Sequence, residues 1–284
     1  MKVPQEMDSQ AYWRQLWSSA GGAERRDVWY SLDEVKFRYL QQYLPQSGRA
    51  LEVGCGSARV SRFLAGAGFE VAGVDCEPPA IHLAGQRLRA SGVKADLLLG
   101  DAFALPFSDQ TFDVVLSTGL LEHFSDPSPI VAEMARVLRC GGLFYSDIVP
   151  RKFSLLRALD FLRIHRAGPY ERPFSKEEIA VLLQNAGLSD ITVFPAGVFP
   201  PFLPLLQRWR HIDRLHGRVA ALFQKMARWL DDTSVAELLG LYYFACARRP
   251  TLSSEPSSRE RYAEAGHKAR TGGERGRHGL CAGR

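Results

Sequence analysis

Short apolar runs alternate with longer stretches of helical pattern along most of the chain. The runs are rich in Val, Leu, Ala and Phe, and the stretches between them place apolar residues at helical spacing. Strands that alternate with helices form parallel sheets covered on both faces, so the pattern predicts an α/β fold with a doubly wound, mostly parallel seven-stranded sheet. The predicted strands are residues 50–53, 70–74, 96–99, 114–117, 143–149, 190–196 and 241–247.

Helix boundaries can be predicted at two places. Asp126 before Pro127 predicts an N-cap followed by proline in the first helical turn. Ser175 with Glu178 predicts a capping box, and Gly187 predicts the end of the same helix.

Four segments of different character divide the chain. Residues 1–47 are helical in pattern and rich in aromatic side chains. Residues 48–149 contain the first five strands, and residues 150–249 contain the last two with long insertions. Residues 250–284 are polar and lack apolar periodicity, so we expect a disordered tail.

Composition and charge argue against a nucleic-acid partner. Hydrophobic residues make up 46% of the chain, which is ordinary for a globular protein. The formal net charge is +5, but residues 250–284 hold seven Lys/Arg against four Asp/Glu, which leaves +2 for the rest. This balance predicts no basic groove, and we expect no nucleic-acid partner.

Cysteine usage and the N-terminal residues predict a cytoplasmic protein. The five cysteines are scattered, odd in number and without a C-x-x-C pair, which argues against a disulfide framework and a structural zinc site. The N-terminal residues lack the apolar stretch of a signal peptide. No apolar run in the sequence approaches the ~20 residues that span a bilayer.

Glycines and acidic residues follow the first two predicted strands, in LEVGCGSAR (51–59) and VAGVDCE (71–77). Gly54 and Gly56 let the backbone approach a ligand closely, and the helix that follows points free N–H groups at the same place. Asp75 lies about 20 residues further on, where a carboxylate binds ribose in nucleotide-binding βαβ units. The sequence therefore predicts a cofactor that contains ribose.

The third position of the dinucleotide fingerprint G-x-G-x-x-G is Arg59, which disfavours NAD and FAD. Glu52, two residues before Gly54, would repel a pyrophosphate and suits a cationic ligand. A nicotinamide-dependent oxidoreductase is the less favoured alternative, since no Tyr-x-x-x-Lys pair occurs in the chain.

The turn resembles the first motif of the class I S-adenosylmethionine-dependent methyltransferases, E/D-x-G-x-G-x-G, with Ala58 at the last glycine. LLLGDAFALPF and TFDVVLSTGLLEHFSDP resemble the family's next motifs, and RVLRCGGLFYSDIV resembles its helix end, Gly-Gly turn and fifth strand. The subgroup resembled is the small-molecule methyltransferases of the ubiquinone, menaquinone and sterol type. The resemblance implies a Rossmann-like fold, S-adenosyl-L-methionine as cofactor, and in-line methyl transfer to a small, hydrophobic or aromatic acceptor.

The resemblance also implies which residues hold the cofactor. Asp75 would bind the ribose, Asp101 would accept from the adenine amino group, and the Ala102 amide would donate to the adenine ring. A non-catalytic cofactor-binding module remains an alternative, since the family includes such members. The implied cofactor-binding residues are Glu52, Gly54, Cys55, Gly56, Asp75, Cys76, Asp101, Ala102, Ser117 and Thr118.

His123 follows the fourth predicted strand, at the sheet edge where ligands bind, and is the candidate catalytic base. Its alternative role is to order this loop through hydrogen bonds. The ubiquinone O-methyltransferases carry a metal-binding E-x-x-E-H here, but this chain has Gly119 in place of the first Glu and keeps Glu122. We therefore expect no metal ion.

Lid segments are a further implication of the resemblance. In this family the N-terminal segment and the insertions after strands five and six cover the acceptor site, which implies that role for residues 1–47, 151–173 and 199–233. Residues 209–230 have the pattern of a basic amphipathic helix. Such a helix either covers the substrate pocket or makes a peripheral contact with a membrane.

Overall fold

The computed structural model describes residues 4–19, 28–150, 171–198, 236 and 240–251. Six α-helices lie within these residues: α1 (Pro4–Ser19), α2 (Val28–Gln41), α3 (Arg59–Gly66), α4 (Pro78–Ala90), α5 (Ser128–Val137) and α6 (Lys176–Asn185). The strands are β1 (Gly48–Val53), β2 (Phe69–Asp75), β3 (Ala95–Leu99), β4 (Phe112–Thr118), β5 (Leu138–Ile148), β6 (Ser189–Val198) and β7 (Gly240–Arg248).

All seven strands form one sheet in the order β3-β2-β1-β4-β5-β7-β6. Strands β1 to β5 pair in parallel, while β7 runs antiparallel to both β5 and β6. The chain order reverses between β1 and β4, and such a reversal opens a crevice outside the carboxyl ends of the strands. The loops after β1, β2, β3 and β4 therefore meet at one edge.

Apolar residues fill both faces of the sheet, as the strand sequences require. Alternate residues of β1 belong to opposite cores: Leu51 and Val53 pack in the core that contains α5 and α6, and Ala50 packs with α2 and α3. Parallel strands buried on both faces read as near-continuous apolar runs, which explains why the sequence pattern identified them.

The structure confirms the predicted sheet with small changes of boundary. β5 differs most, because it begins at Leu138 and includes the glycines predicted to form a turn before it. That turn prediction is wrong. Gly141 instead lies inside the strand with φ 76°, where the pairing of β5 with β4 shifts register between Phe112 and Val114.

Helix ends follow the sequence signals with one correction. The helix predicted to start from an Asp126 N-cap begins at Ser128, with Pro127 at the N-cap position. The Asp126 carboxylate still accepts a hydrogen bond from the Ser128 amide at 3.0 Å. It therefore satisfies a free N–H of the first helical turn, although Asp126 lies one residue before the N-cap. The capping box of Ser175 and Glu178 is present as predicted.

Several predictions fall on residues outside the described ranges. They are most of the insertions at 151–173 and 199–233, the whole amphipathic helix at 209–230, and nearly all of the tail at 250–284. Among the helices that are described, none is both long and apolar enough to cross a membrane.

Candidate functional site at the carboxyl edge of the sheet

The turn after β1 adopts the backbone that its glycines allow. Gly54 and Gly56 have φ of 68° and 51°, in the left-handed region that favours glycine. The amides of Gly54 and Cys55 both donate to the Val74 carbonyl, at 2.8 and 3.0 Å, which fastens the turn to the end of β2. Ala58, at the family's last glycine position, has φ 56° and so carries strain that glycine would avoid.

Asp75 organises the same turn from the end of β2. Its Oδ2 accepts from the Gly56 amide at 2.8 Å, and its Oδ1 accepts from the Glu77 amide at 2.9 Å. Burial raises the pKa of Asp75, and these amide hydrogen bonds oppose that rise. A carboxylate oxygen accepts more than one hydrogen bond, so Asp75 retains capacity for ribose hydroxyls. Gly56 and Asp75, which were both predicted from sequence spacing, are therefore in direct contact.

Glu52 is buried below the turn, with 2% of its surface exposed. Its Oε2 accepts from the amide and hydroxyl of Ser61 at 2.9 and 2.6 Å, and its Oε1 accepts from the Thr118 hydroxyl at 3.3 Å. Burial raises the pKa of Glu52 to about 7 against the opposing hydrogen bonds from Ser61. These hydrogen bonds connect β1 to α3 and β4. The predicted contact of Glu52 with the cofactor stays a prediction.

Three further predicted residues lie where a ligand can reach them. Cys76 is exposed after β2, and Asp101 is exposed after β3. The Asp101 Oδ1 accepts from the Phe103 amide at 3.0 Å, which closes a tight turn around the half-buried Ala102. This turn sits beside the loops after β1 and β2, as the motif order predicts.

Two predicted residues have side chains turned into the protein. Cys55 is buried, and its Sγ lies 3.0 Å from the position that a Cβ on Gly73 would take. The Ser117 hydroxyl is buried and forms a hydrogen bond of 3.0 Å with the Ser146 hydroxyl. Only the backbone atoms of Cys55 and Ser117 can therefore contact a ligand at the edge.

A buried ion pair on the β4 side of the edge was not predicted from the sequence. The Lys36 Nζ of α2 lies 2.8 Å from the Asp147 Oδ2 at the end of β5. The Asp147 Oδ1 accepts from the Gly119 amide at 2.6 Å, and the Lys36 ammonium lies 4.7 Å from the centre of the Tyr242 ring. Burial would lower the pKa of Lys36, but the nearby Asp147 charge outweighs it and raises that pKa.

Helix α2 makes a second ionic contact one turn earlier, with the start of α3. The Arg59 Nη1 lies 3.2 Å from the Asp33 Oδ2. Arg59 is the residue that occupies the third glycine slot of the dinucleotide pattern. Its side chain therefore links the start of α3 to α2, a role that no spacing rule could reveal.

Glu122 and His123 lie on the loop after β4, within a short 3₁₀ turn at Leu121–His123. Glu122 is buried, and its Oε2 has no hydrogen-bond partner among the described residues. Burial, with a contribution from the Asp147 charge, raises the pKa of Glu122 to about 8. Among the residues that the structure describes, no group of three or more His, Cys, Asp or Glu is arranged to hold a metal ion.

Helix α1 lies across this edge and touches three of its loops. The Trp13 ring meets the His123 ring edge-on, with centroids 5.0 Å apart. The Arg14 Nε lies 2.9 Å from the Glu77 Oε2. The Trp17 ring fills the space beside Gly56, since a Cβ on that glycine would lie 2.7 Å from the Trp17 Cζ2. Helix α1 therefore contacts the loops after β1, β2 and β4, and its role as a lid over the acceptor stays a prediction.

Residues 51–146 match a family model described as a methyltransferase domain. The chain is 31% identical over 222 residues to a ubiquinone biosynthesis O-methyltransferase of Xanthomonas axonopodis pv. citri, which covers 75% of this chain and 89% of that protein. These matches favour methyl transfer over the nicotinamide alternative.

Solved structures show the same fold. One is a methyltransferase of Thermotoga maritima described as a possible histamine N-methyltransferase, with a TM-score of 0.55 and 22% identity over 78% of this chain and 91% of that one. Another is phosphoethanolamine N-methyltransferase 2 of Haemonchus contortus in complex with S-adenosyl-L-methionine. It has a TM-score of 0.55 and 20% identity, over 77% of this chain and 53% of that one.

Proposed function

Because this chain belongs to the class I S-adenosylmethionine-dependent methyltransferases, we propose that it methylates a hydroxyl group on a small aromatic or otherwise hydrophobic acceptor. The reaction class, the cofactor and the small-molecule nature of the acceptor follow from the family. We propose oxygen as the methylated atom because the chain is 31% identical to a protein named as an O-methyltransferase of ubiquinone biosynthesis. This similarity extends over most of both chains.

The residues at the glycine turn fit S-adenosyl-L-methionine. Gly54 and Gly56 have left-handed backbone conformations that favour glycine, and without a Cβ their backbone atoms can be approached closely. Asp75 keeps accepting capacity beside them, and Asp101 presents an exposed carboxylate on the neighbouring strand end. These four residues would hold the cofactor. When bound, it supplies a methyl group activated by its attachment to a sulfonium.

The protein itself must then orient the acceptor and the methyl group and exclude water from them. Holding two reacting groups in line and near contact can lower a barrier by ~7–11 kcal/mol. The ionic contacts of Lys36 with Asp147 and of Arg59 with Asp33 join α2 to both halves of the crevice. A rigid frame of this kind supports accurate placement of an acceptor beside the loop after β4.

His123 is the residue that we assign as proton acceptor for the hydroxyl. It lies on the loop after β4, at the edge where the crevice opens, and its ring is half-buried against Trp13. A base placed within hydrogen-bond reach of the acceptor hydroxyl typically contributes about 10²–10⁴ in rate. Glu122, the residue before it, is buried and is not offered to the solvent side of this loop.

Aromatic side chains around the edge support an aromatic acceptor. Phe103, which is 38% exposed after β3, packs edge-on against Phe124 with ring centroids 5.3 Å apart. Trp13 is half-buried beside His123. Edge-to-face and offset contacts with such rings stabilise a planar aromatic ligand.

The test is transfer of a radiolabelled methyl group to a panel of acceptors. The panel contains phenols, catechols and hydroquinones, with anilines of the same size as nitrogen-bearing counterparts. We expect label in the hydroxylated aromatics, and mass spectrometry of the product should locate the new methyl on oxygen. Methylation of the anilines alone, or of ring carbon, would show that the acceptor assignment is wrong.

A further inference from the structure

Arg172 contacts the loop that carries His123 at two points. Its backbone amide donates to the Glu122 carbonyl at 2.6 Å, and its guanidinium Nη1 donates to the Ser125 carbonyl at 2.6 Å. These two carbonyls lie on either side of His123 in the chain, one directly before it and the other two residues after it. A single residue therefore holds the backbone on both sides of the candidate base.

The loop needs support from outside because its own regular structure is short. The 3₁₀ turn contains three residues, Leu121–His123, and the hydrogen bond from the Phe124 amide to the Leu121 carbonyl is long, at 3.4 Å. Hydrogen bonds in 3₁₀ turns also have poorer geometry than those in α-helices. The contacts with Arg172 therefore contribute to how precisely the loop is placed.

Arg172 is itself anchored to the end of β5 and to the start of α6. Its guanidinium carbon lies 4.6 Å from the centre of the buried Phe174 ring, a favourable cation–π distance. The Phe174 amide donates to the Val149 carbonyl at 3.0 Å, directly after β5. The Arg172 Nη2 lies 3.8 Å from the Oε1 of Glu178, which belongs to the capping box of α6. The guanidinium thus connects the His123 loop to two fixed elements.

We propose that Arg172 is a positioning residue for methyl transfer, which places the His123 imidazole beside the acceptor hydroxyl by holding the loop on both sides of it. This inference rests on the role of His123 given in the proposed function. The planar guanidinium presents several donors in a fixed arrangement, so one side chain can contact the Ser125 carbonyl and the Glu178 carboxylate together. The effect of Arg172 on catalysis passes through His123.

The test compares the kcat of Arg172→Met in proteins with and without His123. Misplacement of a reacting group by about 1 Å can cost about 10²-fold in rate. We therefore expect Arg172→Met to lower kcat about 10- to 100-fold at unchanged affinity for S-adenosylhomocysteine. In the His123→Gln background, where no imidazole remains to be placed, the same substitution should change kcat less than about 2-fold.

Two further variants serve as controls. Arg172→Lys keeps the positive charge and a hydrogen-bond donor, so it should recover part of the lost kcat. Arg139→Met removes an arginine of similar bonding near the start of β5, where it pairs with Asp113 at 2.9 Å and donates to the Gln110 carbonyl at 3.3 Å. We expect its kcat to equal that of the wild type.

A second readout needs neither an acceptor nor turnover. In protein containing isotope-labelled histidine, the imidazole NMR signals of His123 are identified by their loss in His123→Gln. We expect these signals to shift in Arg172→Met and to keep their wild-type positions in Arg139→Met.

A loss of kcat confined to proteins that contain His123, together with shifted imidazole signals, supports the positioning role. Equal losses in both backgrounds would overturn it, because Arg172 would then support the fold in general. Unchanged kcat with unshifted signals would also overturn it. If circular dichroism shows that Arg172→Met is not folded, Arg172→Gln is put through the same comparison. If the wild type transfers no methyl group, the proposed function fails, and the imidazole signals alone decide the positioning role.

Discussion

The ammonium of Lys36 and the carboxylate of Asp147 form an ion pair of 2.8 Å with both side chains nearly or fully buried. Asp147 also accepts from the Gly119 amide, so one carboxylate joins helix α2, strand β5 and the loop that carries His123. Buried pairs recover their desolvation cost only through good geometry, and loss of one partner leaves an uncompensated charge. This pair therefore controls both stability and the placement of the loop.

Lys36→Met should destabilise the fold by about 3–5 kcal/mol, because Asp147 would remain buried without its cation. The double variant with Asp147→Asn should recover part of that loss, since an asparagine side-chain oxygen can still accept from Gly119. Urea denaturation measures the free energies of unfolding. The control is Glu70→Gln, in the exposed pair of Arg49 and Glu70 at 3.7 Å, where we expect a change of at most ~1 kcal/mol. Equal effects at Lys36 and Glu70 would contradict this interpretation.

Glu122 should make stability fall with rising pH. Burial raises its pKa from 4.5 to about 8, so the folded state keeps a proton that the unfolded state releases. Stability is unaffected below pH 4.5, where both states are protonated, and falls between pH 4.5 and about 8. Glu122→Gln cannot ionise, and we expect its melting temperature to decline less than that of the wild type over this range.

The control for this pH profile is Glu34→Gln, which removes an exposed carboxylate on α2. Its profile should follow that of the wild type. A Glu122→Gln profile that also follows the wild type would show that Glu122 ionises normally and is not held in a dry environment.

His123→Gln should reduce turnover and leave cofactor binding intact. Glutamine keeps a hydrogen-bonding side chain of similar length but cannot take a proton from the acceptor. We expect kcat to fall by about 10²–10⁴ with the acceptor identified in the labelling screen, at unchanged affinity for S-adenosylhomocysteine. His82→Gln, an exposed histidine on α4, is the matched control. Undiminished turnover would assign His123 to the ordering of its loop.

Local sequence patterns were sufficient to predict the sheet and the glycine turn after β1. Strands buried on both faces are continuous apolar runs, and the contact of Asp75 with Gly56 follows from the fixed geometry of a βαβ unit. The start of β5 could not be predicted, because a glycine such as Gly141 is equally typical of a β-bulge and of a turn.

Long-range contacts could not be predicted from the sequence. Lys36 and Asp147 are far apart in the chain, and neither belongs to a motif with a spacing rule. The position of Trp17 against Gly56 depends on how α1 packs as a whole, which helical periodicity does not specify. The family resemblance implied that the aromatic-rich residues 1–47 cover the acceptor site, but it did not place any of their side chains.

The most direct test of the central claim is binding of S-adenosylhomocysteine to Asp75→Ala by titration calorimetry. This variant removes the carboxylate that organises the Gly56 turn and would bind the ribose. The loss of charge-assisted hydrogen bonds, worth ~1.5–3 kcal/mol, should weaken binding about 10- to 100-fold relative to the wild type. Asp96→Ala, which removes an exposed aspartate on β3, should bind as the wild type does. Wild-type affinity in a folded Asp75→Ala protein would contradict the placement of the cofactor at this turn.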